Sequence, residues 1–160
     1  MMKNLFQILC GLFLVVSYSS CMHSEEDKVD VLIIGGGASG VTSGIQSARM
    51  GANTLILEES TWLGGMLTSA GVSAVDGNYR LPAGLWGEFK NRLSDYYGGL
   101  DSLKTGWVSN VLFEPSVGNK ILHEMVAAEN NLKVWKQACL EEVKRTGDEW
   151  VAKVKVEGQG

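Results

Sequence analysis

Two short apolar runs, separated by a stretch with helical spacing, open the interpretable part of this chain. Residues 29–34 are apolar apart from Asp30, and the lack of alternation predicts a central parallel strand covered on both faces. Residues 38–50 carry small and apolar side chains at helical spacing, among them Val41, Ile45 and Ala48, and Gly51 follows where a helix would stop. Residues 53–58, NTLILE, form a second apolar run and complete a strand–helix–strand unit of about 30 residues, whose crossover is expected to be right-handed.

The pattern then loosens. Residues 61–78 are rich in Gly, Ser and Thr and read as an extended loop. Between residues 83 and 97, Leu85, Trp86, Phe89, Leu93 and Tyr96 recur at three- and four-residue steps, and Gly98 and Gly99 end the run. That spacing accounts for Trp86 and Phe89 as packing residues without invoking a ring-stacking platform. Residues 100–112 show no clear period. Pro115 suits the first turn of another helix over residues 115–130, with Val117, Ile121, Leu122, Met125 and Val126 on one face and His123 expected at the solvated surface. A strand at residues 132–135 precedes two further strand patterns, 138–145 and 149–157, joined by the turn signal Thr146, Gly147 and Asp148.

The N-terminus belongs to none of this. Lys3, an apolar run over residues 5–16 too short to span a bilayer, and Ser17, Ser19 and Ser20 read as a signal peptide over residues 1–20. YSSC, ending at Cys21, resembles the lipobox of bacterial lipoproteins, with Tyr18 where a branched aliphatic is usual. The resemblance implies lipidation of Cys21 and a membrane-anchored, extracytoplasmic protein of a Gram-negative bacterium. The acidic Glu25, Glu26 and Asp27 make residues 21–28 a polar tether, similar to surface-export signals of such lipoproteins. The folded unit therefore spans residues 29–160. With Cys10 in the signal and Cys21 lipidated, Cys139 alone remains in that unit, so no internal disulfide framework is available. The net charge of −4 is spread along the chain, which argues against a nucleic-acid partner.

Gly35, Gly36, Gly37, Ala38, Ser39 and Gly40 satisfy G-x-G-x-x-G between the first strand and its helix. Gly35 suits the tight turn, Gly37 close approach of a pyrophosphate, and Gly40 close packing of helix on strand. The amides of Ala38 and Ser39 then face the phosphates at the positive end of the helix dipole. An acid is needed about 20 positions on, at the end of the second strand, to accept ribose hydroxyls. Glu58 stands there, with Glu59 as its solvent-facing neighbour, and its charge disfavours a 2′-phosphate. These residues predict dinucleotide binding and leave FAD and NAD both open. No metal site is expected, because His123 has no second ligand near it in the sequence.

VDVLIIGGGASGVTSGIQSARMGANTLILEE followed by TWLGGMLTSAG resembles the N-terminal part of FAD-dependent oxidoreductases of the glutathione-reductase-like class. More closely, it is similar to the bacterial family labelled simply FAD-dependent oxidoreductase. The resemblance implies an α/β fold: a Rossmann-like FAD/NAD(P)-binding βαβ unit with further helices and a C-terminal β-meander. It implies that Gly64, Gly65 and Met66 lie near the flavin's phosphate and ribityl region, and that backbone near Cys139 contacts the adenine. FEPSVGNKILHEMV, then LKVWKQACLEEV, is similar to the family's later helix, strand and meander start. It implies further that a separate substrate domain and a later flavin-contacting segment lie outside these 160 residues, so the chain by itself is not expected to turn over substrate. The expected cofactor is FAD, the expected partner a small-molecule substrate, and the expected chemistry hydride transfer through flavin N5. Thr68, Ser69 and Asp76 lie in a loop expected to pass near the ring, and none is assigned as the catalytic base. A non-catalytic surface lipoprotein retaining the fold and an NAD-linked dehydrogenase are the competing readings.

Overall fold

Apolar side chains without alternation need cover on two faces, and the central strand of the sheet has it. The computed structural model describes residues 27–157 apart from Asn78 and Val108, so the signal peptide and Cys21 lie outside the described residues. Val31–Ile34 (β1), Thr54–Glu58 (β2) and Leu132–Lys136 (β3) form a parallel sheet in the order β1-β2-β3. Val31 stands opposite Thr54 and Ile34 opposite Leu57 on one side of β2; on the other, Leu132 faces Thr54 and Lys136 faces Glu58. The first four residues of β2 are buried.

Among the described residues β2 has a strand on each side and β1 pairs on one side only. No described strand pairs with the outer side of β1, and Ile34 is exposed. An apolar run records that a strand has cover on its faces. It does not record which strand has two neighbours.

Period-two geometry sends alternate residues of β2 to opposite layers. Ile56 points into the main core with Val41 and Ile45 of Ala38–Arg49 (α1), Phe89 and Leu93 of Gly84–Tyr97 (α2), and Ile121 and Met125 of Pro115–Ala127 (α3). Leu55 and Leu57 point the other way, against Ala138, Val154 and Val156. Those residues belong to Ala138–Thr146 (β4) and Glu149–Val156 (β5), the expected antiparallel hairpin, whose base thus covers the sheet's second face. Ile45, Ile56 and Met125 are fully buried, each contributing about 1.5–3 kcal/mol of hydrophobic stabilisation relative to exposure.

The helices end where their punctuation dictates. Gly51, with φ +94°, donates its N–H to Ala48 O after α1, and Gly98 closes α2 in the left-handed conformation with its N–H on Ser94 O. Pro115 opens α3, which stops at Ala127, a turn short of the expected residue 130. At the C-terminal end of α1, Arg49 donates to Glu129 at 2.7 Å and to Glu88 at 2.9 Å, tying α1 to α2 and to the segment just after α3 where the dipole favours a cation. The stretch without period, residues 100–112, supplies a short 3-10 turn at Leu100–Leu103 and then pairs with the glycine-rich loop, Val75 N–H donating to Val111 O and Phe113 N–H to Ser73 O.

Candidate functional site: a doubled glycine junction and its cleft

The chain turns sharply out of β1 at Gly35, whose φ of +97° suits glycine and whose N–H reaches Leu57 O at 2.8 Å. At Gly40 a Cβ would sit 1.9 Å from Gly35 O, so only glycine lets α1 lie this close to the turn. A Cβ at Gly37 would meet nothing within 4 Å, and that side of the turn faces open space. Gly37 is the N-cap of α1 and supplies no side-chain acceptor, and no acidic residue stands in the first turn. The opening amides at Ala38 and Ser39 thus keep the uncompensated positive end of the helix dipole beside an accessible backbone.

The second glycine pair docks directly on the first. Gly64 N–H donates to Gly36 O at 2.8 Å, Gly64 bridges Gly37, and a Cβ on Gly65 would lie 3.1 Å from Gly37 Cα. Gly64 itself has φ +103°, and a Cβ there would come within 2.6 Å of Leu122 and 2.7 Å of Thr68. Thr68 is buried and donates its hydroxyl to Leu63 O, so it braces the loop, while Ser69 reaches Gly65 O at 3.2 Å. Met66 stands exposed beyond the doublet. Asn119 of α3, which sequence reasoning missed, accepts the Leu63 N–H at 2.9 Å and pins the loop from below.

Glu58 sits between the two pieces. One carboxylate oxygen accepts Gly36 N–H at 2.7 Å and the other accepts Ser60 N–H at 2.8 Å. Each oxygen retains acceptor capacity, so the carboxylate is oriented without being saturated. Glu59 is exposed, as expected. Cys139 is a partly buried free thiol in β4, opposite Lys155. Its strand meets the end of β2 through Gln137 N–H on Ser60 O at 3.3 Å, which brings the start of β4 to the Glu58 side of the junction.

On the other side lies a cleft of about 490 Å³. Ala38 and Ser39 line it at the helix N-terminus, with Met66, Asp76, Trp86 and Phe89 around them. Phe89 is buried and meets Phe113 edge to face at 5.4 Å, which makes it a packing residue as the spacing predicted. Trp86 is half-buried and faces both the core and the cleft. Lys90, which sequence reasoning did not single out, is buried on α2. Its ammonium donates to Tyr79 O at 2.7 Å and Leu81 O at 2.8 Å and lies 5.8 Å from the Trp86 ring centroid, holding the loop after Asp76 against the helix. Asp76 is exposed at the rim.

His123 is half-buried on α3, less exposed than the solvated surface position expected of it. The physical reason is that helical spacing sets a residue's direction and says nothing of the strand end packed beside it. Burial first, and then the positive charge of Lys136, hold its pKa below the ordinary 6.5. Among the described residues, no group of three or more His, Cys, Asp and Glu is placed to hold a metal ion.

The family model for FAD dependent oxidoreductases matches residues 30–160. The chain belongs to that family. Its cofactor is accordingly FAD, and the accessible glycine turn, the uncapped helix amides and the oriented Glu58 are a donor and acceptor set that fits a dinucleotide. No curated protein matches the sequence. Among solved structures, AlpK aligns with a TM-score of 0.57 at 13% identity, over 84% of this chain and 29% of that one. OxyS anhydrotetracycline hydroxylase from Streptomyces rimosus aligns with a TM-score of 0.53 at 13% identity, over 81% and 28%. A geranylgeranyl bacteriochlorophyll reductase-like protein from Thermoplasma acidophilum gives 0.52 at 18% identity, over 81% and 35%. These likenesses carry the fold, and the chain spans about a third of those structures or less.

Gly64→Ala is expected to destabilise the fold by about 2–3 kcal/mol, combining left-handed strain with overpacking against Leu122; an unchanged urea midpoint contradicts this. Because folding lowers the His123 pKa, the unfolded state binds more protons as pH falls below 6.5. Stability is then complete above 6.5, declines as pH falls towards the folded value, and levels off below it. Unfolding midpoints measured from pH 7 to pH 5 should decline less steeply in His123→Gln, and an unaltered slope refutes the assignment.

Proposed function

We propose that this chain is the FAD-holding portion of an extracytoplasmic flavin-dependent oxidoreductase of the glutathione-reductase-like class. The observation that carries this reading is the junction itself: Gly64 N–H on Gly36 O, with Glu58 bonded to the Gly36 N–H beside it. Backbone approaches backbone there with no side chain between, next to an unneutralised helix N-terminus, and that combination suits a pyrophosphate. Ala38 and Ser39 amides would bind the phosphates and Glu58 the adenosine ribose, with the start of β4 near Cys139 flanking the adenine. Gly64, Gly65 and Met66 would border the ribityl side. When bound, the flavin would supply hydride chemistry at N5, and the chain's own residues would position it.

The purified longer protein, extended through the later flavin-contacting segment, is expected to carry flavin absorbance or to acquire it with added FAD, and Glu58→Gln should weaken FAD by about tenfold, the scale of a hydrogen bond to a charged acceptor. A colourless protein that ignores FAD overturns the reading, and one that takes NAD instead restores the NAD-linked dehydrogenase.

Residues 1–20 are proposed as a signal peptide, residues 21–28 as a tether and residues 29–160 as the FAD-binding portion. Cys21 is the proposed lipid acceptor, resting on the YSSC sequence and the apolar run before it. Labelled palmitate should enter the protein in a Gram-negative host and should not enter Cys21→Ala. Equal labelling of both removes the anchor.

A further inference from the structure

The end of the molecule opposite the glycine junction carries an exposed aromatic where the tether meets the fold. β4 starts beside the C-terminal end of β2, with Gln137 N–H on Ser60 O at 3.3 Å, and runs away from it. Nine residues of β4 reach roughly 30 Å, against about 17 Å for the five of β2, so the turn between β4 and β5 extends to the start of the sheet and past it. There Lys28, just before β1, meets Glu149 at 2.9 Å, and Asp27 meets Lys133 in β3 at 3.0 Å. The chain thus enters the fold beside the hairpin turn.

Trp150 next to that turn is 70% exposed, and Val151 and Val143 are exposed near it. Trp150 stands opposite Arg145, and Val151 opposite Lys144. The charges of the tip balance: Lys144 pairs with Glu142 at 2.8 Å, Arg145 approaches Asp148 at 3.9 Å, and Lys28 offsets Glu149. An indole with aliphatic neighbours and a polar rim is the composition that settles at the headgroup level of a bilayer, where the ring leaves water and its N–H stays hydrated.

We infer that the tip of the β4–β5 hairpin is a bilayer-contacting surface, seated in the headgroup layer by Trp150 and Val151 and kept there by the lipid on Cys21. This rests on the lipoprotein reading given above. Chain length selects the lipid surface as occupant: Cys21 lies seven positions before Lys28, and seven residues extend at most about 25 Å. An acyl anchor on so short a lead presents the tip to the membrane at high effective concentration, so a single aromatic suffices where it would not retain a free protein. Because the tip's charges balance, the contact does not draw on anionic lipid. The opposite strand ends, with the glycine junction and Glu58, then face away from the bilayer.

The test uses the longer protein, acylated at Cys21, in vesicles of phosphatidylethanolamine and phosphatidylglycerol whose acyl chains carry bromine just below the headgroups, a contact quencher of tryptophan emission. The quenched share of the emission should be lost in Trp150→Phe and kept in Trp107→Phe. Trp107 is fully exposed but belongs to the segment bonded to the glycine-rich loop through Ser109. Flavin absorbance equal to wild type reports that Trp150→Phe is folded, and added salt should leave the quenching unchanged. Quenching that survives Trp150→Phe, or that salt abolishes, overturns the assignment. So does absent quenching in a protein that takes up palmitate, the result expected if a second copy or another part of the longer chain covers the tip. A protein that takes up no palmitate overturns the lipoprotein reading and this inference with it, and labelling alone tells that failure from the others.

Discussion

Everything in this site depends on one backbone hydrogen bond, from Gly64 N–H to Gly36 O. It joins two loops 28 positions apart in the sequence, and it forms only because neither loop has a side chain in the way. Around it the requirements interlock. Gly40 lets α1 approach the turn, Gly65 lets the second loop approach Gly37, and Glu58 is drawn in to accept the N–H of Gly36, whose carbonyl is already taken. The acid at the end of β2 is therefore part of the turn's own architecture as well as a candidate ribose acceptor. A site built this way is organised before any ligand arrives, which lowers the ordering cost of binding.

Much of this was legible in the sequence because it was local. Strand, glycine turn, helix and strand follow one another within about 30 residues, the size of one crossover unit, and the glycine spacing fixed where the helix begins. Likeness to a family put Gly64 and Gly65 near the flavin's phosphate, but their docking on Gly36 was not legible, since nothing in the loop's composition says which partner it meets. The supports of the site were not legible at all. Asn119, Lys90 and Ser109 all act on backbone groups distant in sequence, Ser109 through a hydroxyl given to Val75 O at 2.9 Å. Such bonds leave no periodic trace, because a polar residue that satisfies a buried carbonyl looks like any other polar residue until the chain is folded.

His123 was assigned from a pattern that reports a residue's own element, whereas exposure is decided by what packs against that element. Trp86 shows the converse: helical spacing correctly put it on the inward stripe of α2, yet the stripe runs along a core at Phe89 and along a cavity wall one turn earlier.

The sheet and the hairpin leave edges that handle the same hazard differently. A strand edge with unpaired amides and carbonyls is a template for another chain. The hairpin meets this with charge: Lys153 pairs with Glu141 at 2.7 Å and Lys144 with Glu142 at 2.8 Å, so a stray strand would have to displace solvated ions. β1 carries no charged side chain along its four residues, and Ile34 is exposed at its end. Its protection is brevity, helped by Asp30, whose carboxylate is turned inward onto Asn53 N–H at 2.8 Å. Among the described residues, the outer side of β1 is thus the edge at which a further strand can add to the sheet.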